Sequence, residues 1–241
     1  MNNFNHNLFL ILEYLSNIEL YFCSPISKDE KTFHIVDEEY HHATKVMRNK
    51  VGDKLYATDG NGKIYEGLIS AIEKHSLLVD FSRSYSYKNS LNHITFCIPA
   101  LKNPDRLKFA LEKCVELGIT NFVLFNSERS VSKGFNSERI SKILLSAMKQ
   151  SLQAYLPKVE IFNSVLQFNN LRVDKILFEQ NSVNKFTDQK FDNEKKYYLI
   201  FGPEGGFSEK EILNIQPTLI LNLAENRLRS ETAIIKAASL L

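Results

Sequence analysis

The residues of this sequence that best fit a chemical role form a glycine-rich loop, GPEGGF at residues 202–207 (the glycine loop). An apolar strand is expected just before the loop, and SEKE at residues 208–211 has the form of a capping box that opens a helix. Glycines at the carboxyl end of a parallel strand let backbone groups approach a ligand, at the sheet edge where α/β proteins bind their substrates. The alternative is a tight turn that needs a positive φ angle.

The glycine loop does not match the common nucleotide-binding patterns. The sequence has no GxGxxG after its first strand and no GxxxxGK[ST]. A phosphate cradle at the amino end of the following helix stays open as an interpretation, but Glu204 would repel an anion there.

A second polar loop follows one strand later, LAENRLR at residues 223–229 (the arginine loop), and SETA at residues 230–233 then opens a helix. Arg229 stands just ahead of that helix, where a guanidinium can hold an RNA phosphate or stabilise negative charge on a reacting base. The alternative for this arginine is a surface ion pair. Glu231, in the first turn, is expected to complement the helix dipole rather than act as a general base.

The first third of the chain is expected to be β structure that ends in a linker. Short runs rich in aromatic and β-branched residues, separated by glycine turns, predict strands at residues 32–36, 54–58, 63–69 and 76–81. A helix is expected from Glu38 to Arg48, with Val46 and Met47 on its buried side. Several short strands at close spacing predict a small barrel, and the polar residues 82–92 predict a linker.

Strands and helices alternate after the linker. Apolar strands are predicted at residues 94–100, 121–125, 175–178, 197–201 and 219–223, and a long helix at 137–155. Asn103 and Pro104 have the residue types of a helix N-cap and first position, and Gly118 fits the position just past that helix. Near-continuous apolar strands that alternate with helices predict an α/β fold on a mostly parallel sheet.

Composition excludes several classes of protein. The 241 residues are 44% hydrophobic and 24% charged, as in an ordinary globular chain, and a net charge of +2 requires any basic patch to be local. Cys23, Cys97 and Cys114 form no CxxC pair, so we expect neither a disulfide framework nor a zinc site. We expect a cytoplasmic location instead. The apolar run at residues 9–12 is not preceded by a basic n-region and is short, so we expect neither a signal peptide nor a membrane span there.

The glycine loop and the arginine loop together resemble the paired signature of the SPOUT, or trefoil-knot, methyltransferases. More narrowly, the sequence resembles the bacterial 16S ribosomal RNA uridine-N3 methyltransferase family. Shorter stretches match that family in the same order along nearly the whole chain: YHH at 40–42, VMR at 46–48, VGD at 51–53, EKCVELG at 112–118, ERS at 128–130, QS at 150–151 and Pro157. The chain departs from the family at Ala224, Asn226 and Gln153. Because the glycine loop and Arg229 are kept, we expect these differences to affect contacts with RNA rather than methyl transfer.

The resemblance implies a domain organisation and a cofactor. Residues 1–19 would be an extension, 20–88 a PUA-like RNA-binding β-barrel, and 89–241 a SPOUT domain whose mostly parallel sheet carries a C-terminal trefoil knot. S-adenosylmethionine would lie in three loops that follow Phe178, Phe201 and Leu223, and no metal is implied. The residues expected to bind the cofactor are Phe178, Glu179, Phe201, Gly202, Glu204, Gly205, Gly206, Leu223, Asn226 and Leu228.

The resemblance also implies a reaction and partners. The chain would methylate N3 of one uridine in 16S ribosomal RNA, within an assembled or late-assembling small subunit, as a homodimer that does not bind membranes. Arg229 is the expected catalytic residue, and no general base is identified. Contacts to RNA phosphates are expected from Lys45, Arg48, Lys50, Arg129 and Lys133, for which a solvated basic surface is the alternative. Two other functions stay open: methylation of another RNA, and a non-catalytic RNA-binding factor in ribosome assembly.

Overall fold

The computed structural model describes residues 18–24, 31–130 and 134–241, and these form two compact units. The first unit contains the described residues up to Lys88 together with Met148–Leu156, and the second contains those of Asn89–Ala147 and Pro157–Leu241. In this described part of the chain, no helix is both long enough and apolar enough to cross a membrane.

The first unit is built on a five-stranded sheet with the order β1-β3-β4-β5-β2. Strands β1 and β3 are parallel and the other neighbours are antiparallel. The pairing of β4 with β5 shifts register twice, and such bulges bend a sheet around its core. Gly67 lies at one shift, where an added Cβ would come within 2.6 Å of the Asp80 carbonyl oxygen. The strands are β1 (Leu20–Phe22), β2 (Thr32–Val36), β3 (Lys54–Thr58), β4 (Lys63–Ile72) and β5 (Ser76–Ser86).

The helix between β2 and β3 differs from the sequence prediction. Helix α1 (Asp37–His41) continues as a π-helical turn (His42–Val46). Val46 and Met47 are 60% and 47% exposed, so the prediction that they are buried is wrong. A π turn holds more residues than an α turn, and the apolar face therefore moves to Ala43, which lies in the core of this unit.

Strand β5 and the end of the long helix also differ from prediction. The strand continues to Ser86, so residues 82–86 are not linker: residues 83–86 pair with β4 through the backbone, Ser82 lies at a register shift, and most of these side chains are exposed. The long helix ends at Gln150 and not at Tyr155, because Leu152 adopts a left-handed conformation with φ +56°.

Residues after Gln150 complete the first unit. The Gly62 amide donates to the Ala154 carbonyl at 2.8 Å, and the Leu156 amide donates to the Gly60 carbonyl at 3.0 Å. The Tyr155 hydroxyl donates to the carbonyl of Tyr87. Ala154 packs in an apolar cluster with Leu20, Tyr56 and Ile64 from the sheet. A segment distant in sequence thus closes one side of this small fold.

The second unit is an α/β structure on a six-stranded sheet in which every pair of neighbours is parallel. This confirms the predicted fold class. The order is β11-β9-β10-β6-β7-β8. The strands are β6 (Ile94–Pro99), β7 (Asn121–Phe125), β8 (Lys158–Phe162), β9 (Asp174–Phe178), β10 (Tyr197–Ile200) and β11 (Leu219–Leu221), and the helices are α2 (Pro104–Glu116), α3 (Ser137–Gln150), α4 (Glu209–Ile215) and α5 (Ser230–Ser239).

Local capping chemistry starts and stops these helices as expected. The Asn103 side chain accepts a hydrogen bond from the amide of Asp105, and Pro104 takes the first position of α2. Gly118, just past α2, has φ +91°. Ser208 and Glu211 form both hydrogen bonds of the capping box at α4. The strand ends and helix starts at the site are therefore set by residues within the local sequence.

The sheet order brings three loops together. Strands β11, β9 and β10 are neighbours and parallel, so their carboxyl ends lie at the same edge of the sheet. The loop after β10 is the glycine loop, the loop after β11 leads into the arginine loop, and the third follows Phe178. The trefoil knot implied by the resemblance stays a prediction.

Candidate functional site

A cavity of about 570 Å³ lies among the loops that follow β9, β10 and β11. Every residue predicted to bind the cofactor lines it, and so does Arg229. Ala224, which the sequence analysis noted as a difference from the family pattern without assigning it to a site, also lines the cavity. The lining residues are Arg106, Phe178, Glu179, Gln180, Phe201, Gly202, Pro203, Glu204, Gly205, Gly206, Asn222, Leu223, Ala224, Asn226, Arg227, Leu228, Arg229, Ser230 and Ala233.

Two phenylalanines give the cavity an apolar base. The rings of Phe178 and Phe201, at the ends of β9 and β10, stack with centroids 4.8 Å apart. Phe201 also contacts Phe96, whose ring centroid is 5.2 Å away. Both residues are buried, and the packing holds the two strand ends together. The cavity thus combines an aromatic base with walls rich in backbone amides and carbonyls.

The three glycines of the glycine loop meet different requirements. Gly206 has φ +67°, and its amide donates to the Pro203 carbonyl at 2.9 Å, so this position favours glycine for its backbone conformation. Gly205 is close to Arg129, since an added Cβ would lie 3.2 Å from the Arg129 Cβ. At Gly202 an added Cβ would make only ordinary contact with the Phe207 ring. Contacts within the protein therefore do not require glycine at position 202.

Side chains tie the three loops to one another. Asn222 donates through Nδ2 to the Gln180 carbonyl and accepts the Ala224 amide at 2.6 Å through Oδ1. The Ser230 hydroxyl donates to the Gly202 carbonyl at 3.4 Å. Sequence reasoning missed Asn222, although an asparagine at the end of a strand is a common turn residue and was the available signal.

Charge around the cavity comes mainly from arginines. The Nε atom of Arg106 lies 3.6 Å from Glu231 Oε1, which gives Glu231 a salt-bridge partner in the first turn of α5. Within the described residues, no carboxylate lies within 4.0 Å of the Arg227 or Arg229 guanidinium. Arg229 is the N-cap residue of α5 and makes no side-chain capping bond. Its guanidinium is therefore available to a ligand.

Glu204 is held by the backbone rather than by a cation. Its Oε1 accepts a hydrogen bond from the Lys102 amide at 3.1 Å, which joins the glycine loop to the residues after β6. The carboxylate lines the cavity and makes this wall unfavourable for a phosphate.

The residues predicted to bind RNA phosphates are distributed over both units. Lys45, Arg48 and Lys50 are exposed in the π turn of the first unit and just after it. Arg129, in the second unit, donates through Nη1 to the carbonyls of Gly205 and Phe207, at 3.0 and 3.4 Å. Lys133 lies outside the described residues. Their contact with RNA stays a prediction.

Four other potentially reactive side chains, one histidine and three cysteines, are paired or buried. His42 Nε2 lies 3.1 Å from Glu19 Oε1 in the first unit. Burial raises the pKa of Cys23 to about 12 and also raises the pKa of the Cys97 and Cys114 thiols. Across residues 18–24, 31–130 and 134–241, no three His, Cys, Asp or Glu side chains are grouped to hold a metal ion.

Two family models match this sequence. A model described as RNA methyltransferase domain matches residues 88–241, and one described as RNA methyltransferase PUA domain matches residues 35–82. The second match covers most of the curled sheet of the first unit, which confirms the predicted PUA-like domain there.

Curated relatives are similar along almost the full chain. Ribosomal RNA small subunit methyltransferase E of Rickettsia conorii is 25% identical over 227 residues, which cover 90% of this chain and 92% of the relative. The protein of the same name from Bacillus subtilis is 26% identical over 230 residues, with 88% and 90% covered.

Solved structures share the fold. A probable rRNA-methyltransferase from Porphyromonas gingivalis has a TM-score of 0.79 at 26% identity, covering 92% of this chain and 96% of its own. A Ribosomal RNA small subunit methyltransferase E from Neisseria gonorrhoeae, bound to S-adenosyl methionine, has a TM-score of 0.81 at 23% identity, covering 92% and 95%. The likeness to the Neisseria protein concerns the fold alone.

Proposed function

This chain belongs to the RNA methyltransferase family whose domain spans residues 88–241, and we propose that it methylates N3 of a uridine in 16S ribosomal RNA with S-adenosylmethionine as methyl donor. The observation that carries the proposal is the cavity in which the glycine loop and the arginine loop meet. The curated relatives from Rickettsia and Bacillus, which are named for methylation of small-subunit ribosomal RNA, support the choice of substrate.

The cavity fits S-adenosylmethionine in size and in lining. Its volume of about 570 Å³ is within the range of about 300–1,000 Å³ that small-molecule sites occupy. The stacked rings of Phe178 and Phe201 suit the adenine and the other apolar parts of the donor. Backbone groups of the glycine loop suit its hydroxyl and amino groups, and the Glu204 carboxylate suits a positively charged group of the donor. The donor supplies an electrophilic methyl group on a sulfonium sulfur.

Arg229 is proposed as the catalytic residue. Uridine N3 carries a proton and becomes an effective nucleophile only when that proton leaves, which spreads negative charge over the two flanking carbonyl oxygens. A guanidinium that is not neutralised by a protein carboxylate can stabilise this charge, and Arg229 is such a group. Alignment of N3 with the methyl group supplies the remaining acceleration. Because N3 lies on the pairing edge of the base, the target uridine must be unpaired when it reacts.

The proposed RNA contacts extend beyond the target base. Lys45, Arg48 and Lys50 are exposed within six residues of one another and make a local basic patch on a chain of low net charge. We infer that this patch binds phosphates of the ribosomal RNA, consistent with the PUA match that includes it. A ribosomal RNA substrate, in an assembled or late-assembling small subunit, implies a cytoplasmic protein.

We also propose that the active form is a homodimer. Several large apolar side chains on or next to helices α2 and α5 are 36–48% exposed: Phe109, Leu117, Leu240 and Leu241. Burial of such residues in a second copy would remove apolar surface from water. Sedimentation at micromolar concentration should give twice the mass of the chain, and a monomer at all concentrations would reject this part of the proposal.

Calorimetry with S-adenosylmethionine tests the cofactor assignment. The wild-type protein should bind, and Gly205→Arg should abolish binding, because even a Cβ at this position crowds Arg129, so the larger side chain would displace the loop that lines the cavity. Leu213→Arg is a matched control, since it adds the same side chain at an exposed site on the neighbouring helix α4. Unchanged affinity in Gly205→Arg would reject the loop as the binding site.

Reverse transcription of ribosomal RNA tests the substrate. Methylation at N3 blocks base pairing, so wild-type 16S RNA should stop the polymerase at the modified uridine. A strain that lacks this protein should lose that stop, and the purified protein should restore it on isolated small subunits. A stop that persists in the deletion strain contradicts the proposed substrate and favours another RNA. If the deletion strain keeps every RNA methylation and the purified protein still binds RNA, the result favours a non-catalytic assembly factor.

A further inference from the structure

The loop after strand β7, SERS at residues 127–130 (the bracing loop), is anchored on a buried carboxylate. Glu211 of helix α4 is 1% exposed. Its Oε1 accepts the Ser127 hydroxyl at 2.7 Å and the Glu128 amide at 2.8 Å. Its Oε2 accepts the amide of Ser208 at 3.0 Å. One carboxylate therefore fixes the bracing loop and the start of α4 to each other.

A second contact strengthens the same junction. The Ser208 hydroxyl donates to Glu128 Oε2 at 2.8 Å and accepts the Glu211 amide at 3.2 Å. The capping box of α4 thus does more than start the helix, because it also holds the bracing loop. Residue Ser208 directly follows the glycine loop, so the far end of that loop has a fixed position.

Arg129 extends from the bracing loop onto the glycine loop. Its Nη1 donates to the carbonyls of Gly205 and Phe207, and an added Cβ on Gly205 would lie 3.2 Å from its Cβ. Neither Arg129 nor any other residue of the bracing loop lines the cavity. These contacts constrain a segment that contains two consecutive glycines, which have the largest backbone freedom to lose.

We propose that Arg129 is a positioning residue that sets the affinity for S-adenosylmethionine by holding the carbonyls of Gly205 and Phe207, without contacting the cofactor. The inference rests on the proposed function, because it assumes that the glycine loop binds the donor. Backbone groups bind a ligand well only if they are ordered before it arrives, since ordering them on binding subtracts from the affinity. The two hydrogen bonds from one guanidinium provide this order.

Calorimetry and steady-state kinetics on Arg129→Ala test the proposal. We expect the Kd and the KM for S-adenosylmethionine to rise about tenfold, as the loss of a hydrogen bond to a charged group would cause. The kcat at saturating donor should stay close to wild type, because the loop regains its shape once the donor is bound. Arg129→Lys, which keeps one cationic donor, should restore part of the affinity.

Controls separate this role from the others. Arg172→Ala removes an exposed arginine of the same unit that does not line the cavity and should leave both constants unchanged. A raised KM for RNA with an unchanged Kd for the donor would overturn the inference in favour of a phosphate contact. Equal loss of affinity in Arg129→Ala and Arg129→Lys together with a lower unfolding temperature in both would also overturn it, as damage to the fold. If the wild-type protein does not bind the donor at all, the proposed function itself fails.

Discussion

The ion pair between Arg106 Nε and Glu231 Oε1, 3.6 Å apart, joins the first turns of helices α2 and α5 beside the cavity. The two residues are 125 positions apart in the sequence, and the side chain of Glu231 is only 13% exposed. Pairing neutralises the Arg106 guanidinium. Within the described residues, Arg227 and Arg229 therefore remain the cavity arginines without a carboxylate partner.

Glu231→Gln tests whether this carboxylate has a chemical role. We expect the free energy of unfolding to fall by less than about 1 kcal/mol, because Arg106 is partly exposed and water screens the ion pair. Methyl transfer should keep a kcat within a few-fold of wild type. A loss of about 100- to 10,000-fold in kcat, typical of a deleted general base, would contradict the role of a simple ion-pair partner. Arg106→Gln should give a similar loss of stability, measured by urea unfolding.

Arg229→Ala should lower kcat by about 100- to 1,000-fold, the usual effect of removing one group that stabilises charge in a transition state. The Kd for S-adenosylmethionine should change little, because the proposed role of the guanidinium is toward the base. Arg229→Lys should recover part of kcat, since it keeps a positive charge. Single-turnover methylation with saturating RNA and donor provides the measurement. A weaker donor affinity with normal kcat would assign Arg229 to cofactor binding instead.

The glycine loop should respond differently at each of its positions. Gly206→Ala should lower the free energy of unfolding by about 1–2 kcal/mol, because alanine is strained at φ +67°. Gly202→Ala should change it by less than about 0.5 kcal/mol, since the new methyl makes only ordinary contact within the protein. Urea unfolding of the two variants provides the comparison. Equal destabilisation would contradict the left-handed conformation of Gly206.

The cysteines should be unreactive in the folded protein. Burial raises the pKa of Cys23 to about 12 and raises that of Cys97 and Cys114 as well. A raised pKa leaves a smaller thiolate fraction at pH 8, and the thiolate is the reactive species. A thiol reagent should therefore label the native protein slowly and all three cysteines rapidly in guanidinium chloride. Rapid labelling of a native thiol would mean that its surroundings open in solution.

Much of the second unit was predictable because its signals are local. Strand and helix periodicity, the N-cap at Asn103, the stop at Gly118 and the capping box at Ser208 all depend on residues within a few positions. Parallel strands then require that loops at their carboxyl ends share one edge of the sheet. This geometry agrees with the resemblance, which pairs the glycine loop with the arginine loop at one site.

The features that were missed depend on contacts between distant residues. Arg106 reaches the cavity because α2 packs near α5, and Asn222 acts through partners in two loops. Strand β8 (Lys158–Phe162) lies at the edge of the sheet, and only Phe162 of its five residues is buried. The exposure of Val46 follows from a π turn, for which residue types give no clear signal.

The return of Met148–Leu156 to the first unit has a consequence for how the protein is made. During translation, the sheet that ends at Ser86 leaves the ribosome long before Tyr155 and Leu156, which bond to Tyr87 and Gly60. Until then the apolar surface around Ile64 lacks its cover from Ala154. The nascent amino-terminal unit must therefore wait for some seventy more residues before its fold is complete, and a fragment cut at Lys88 would expose this surface permanently.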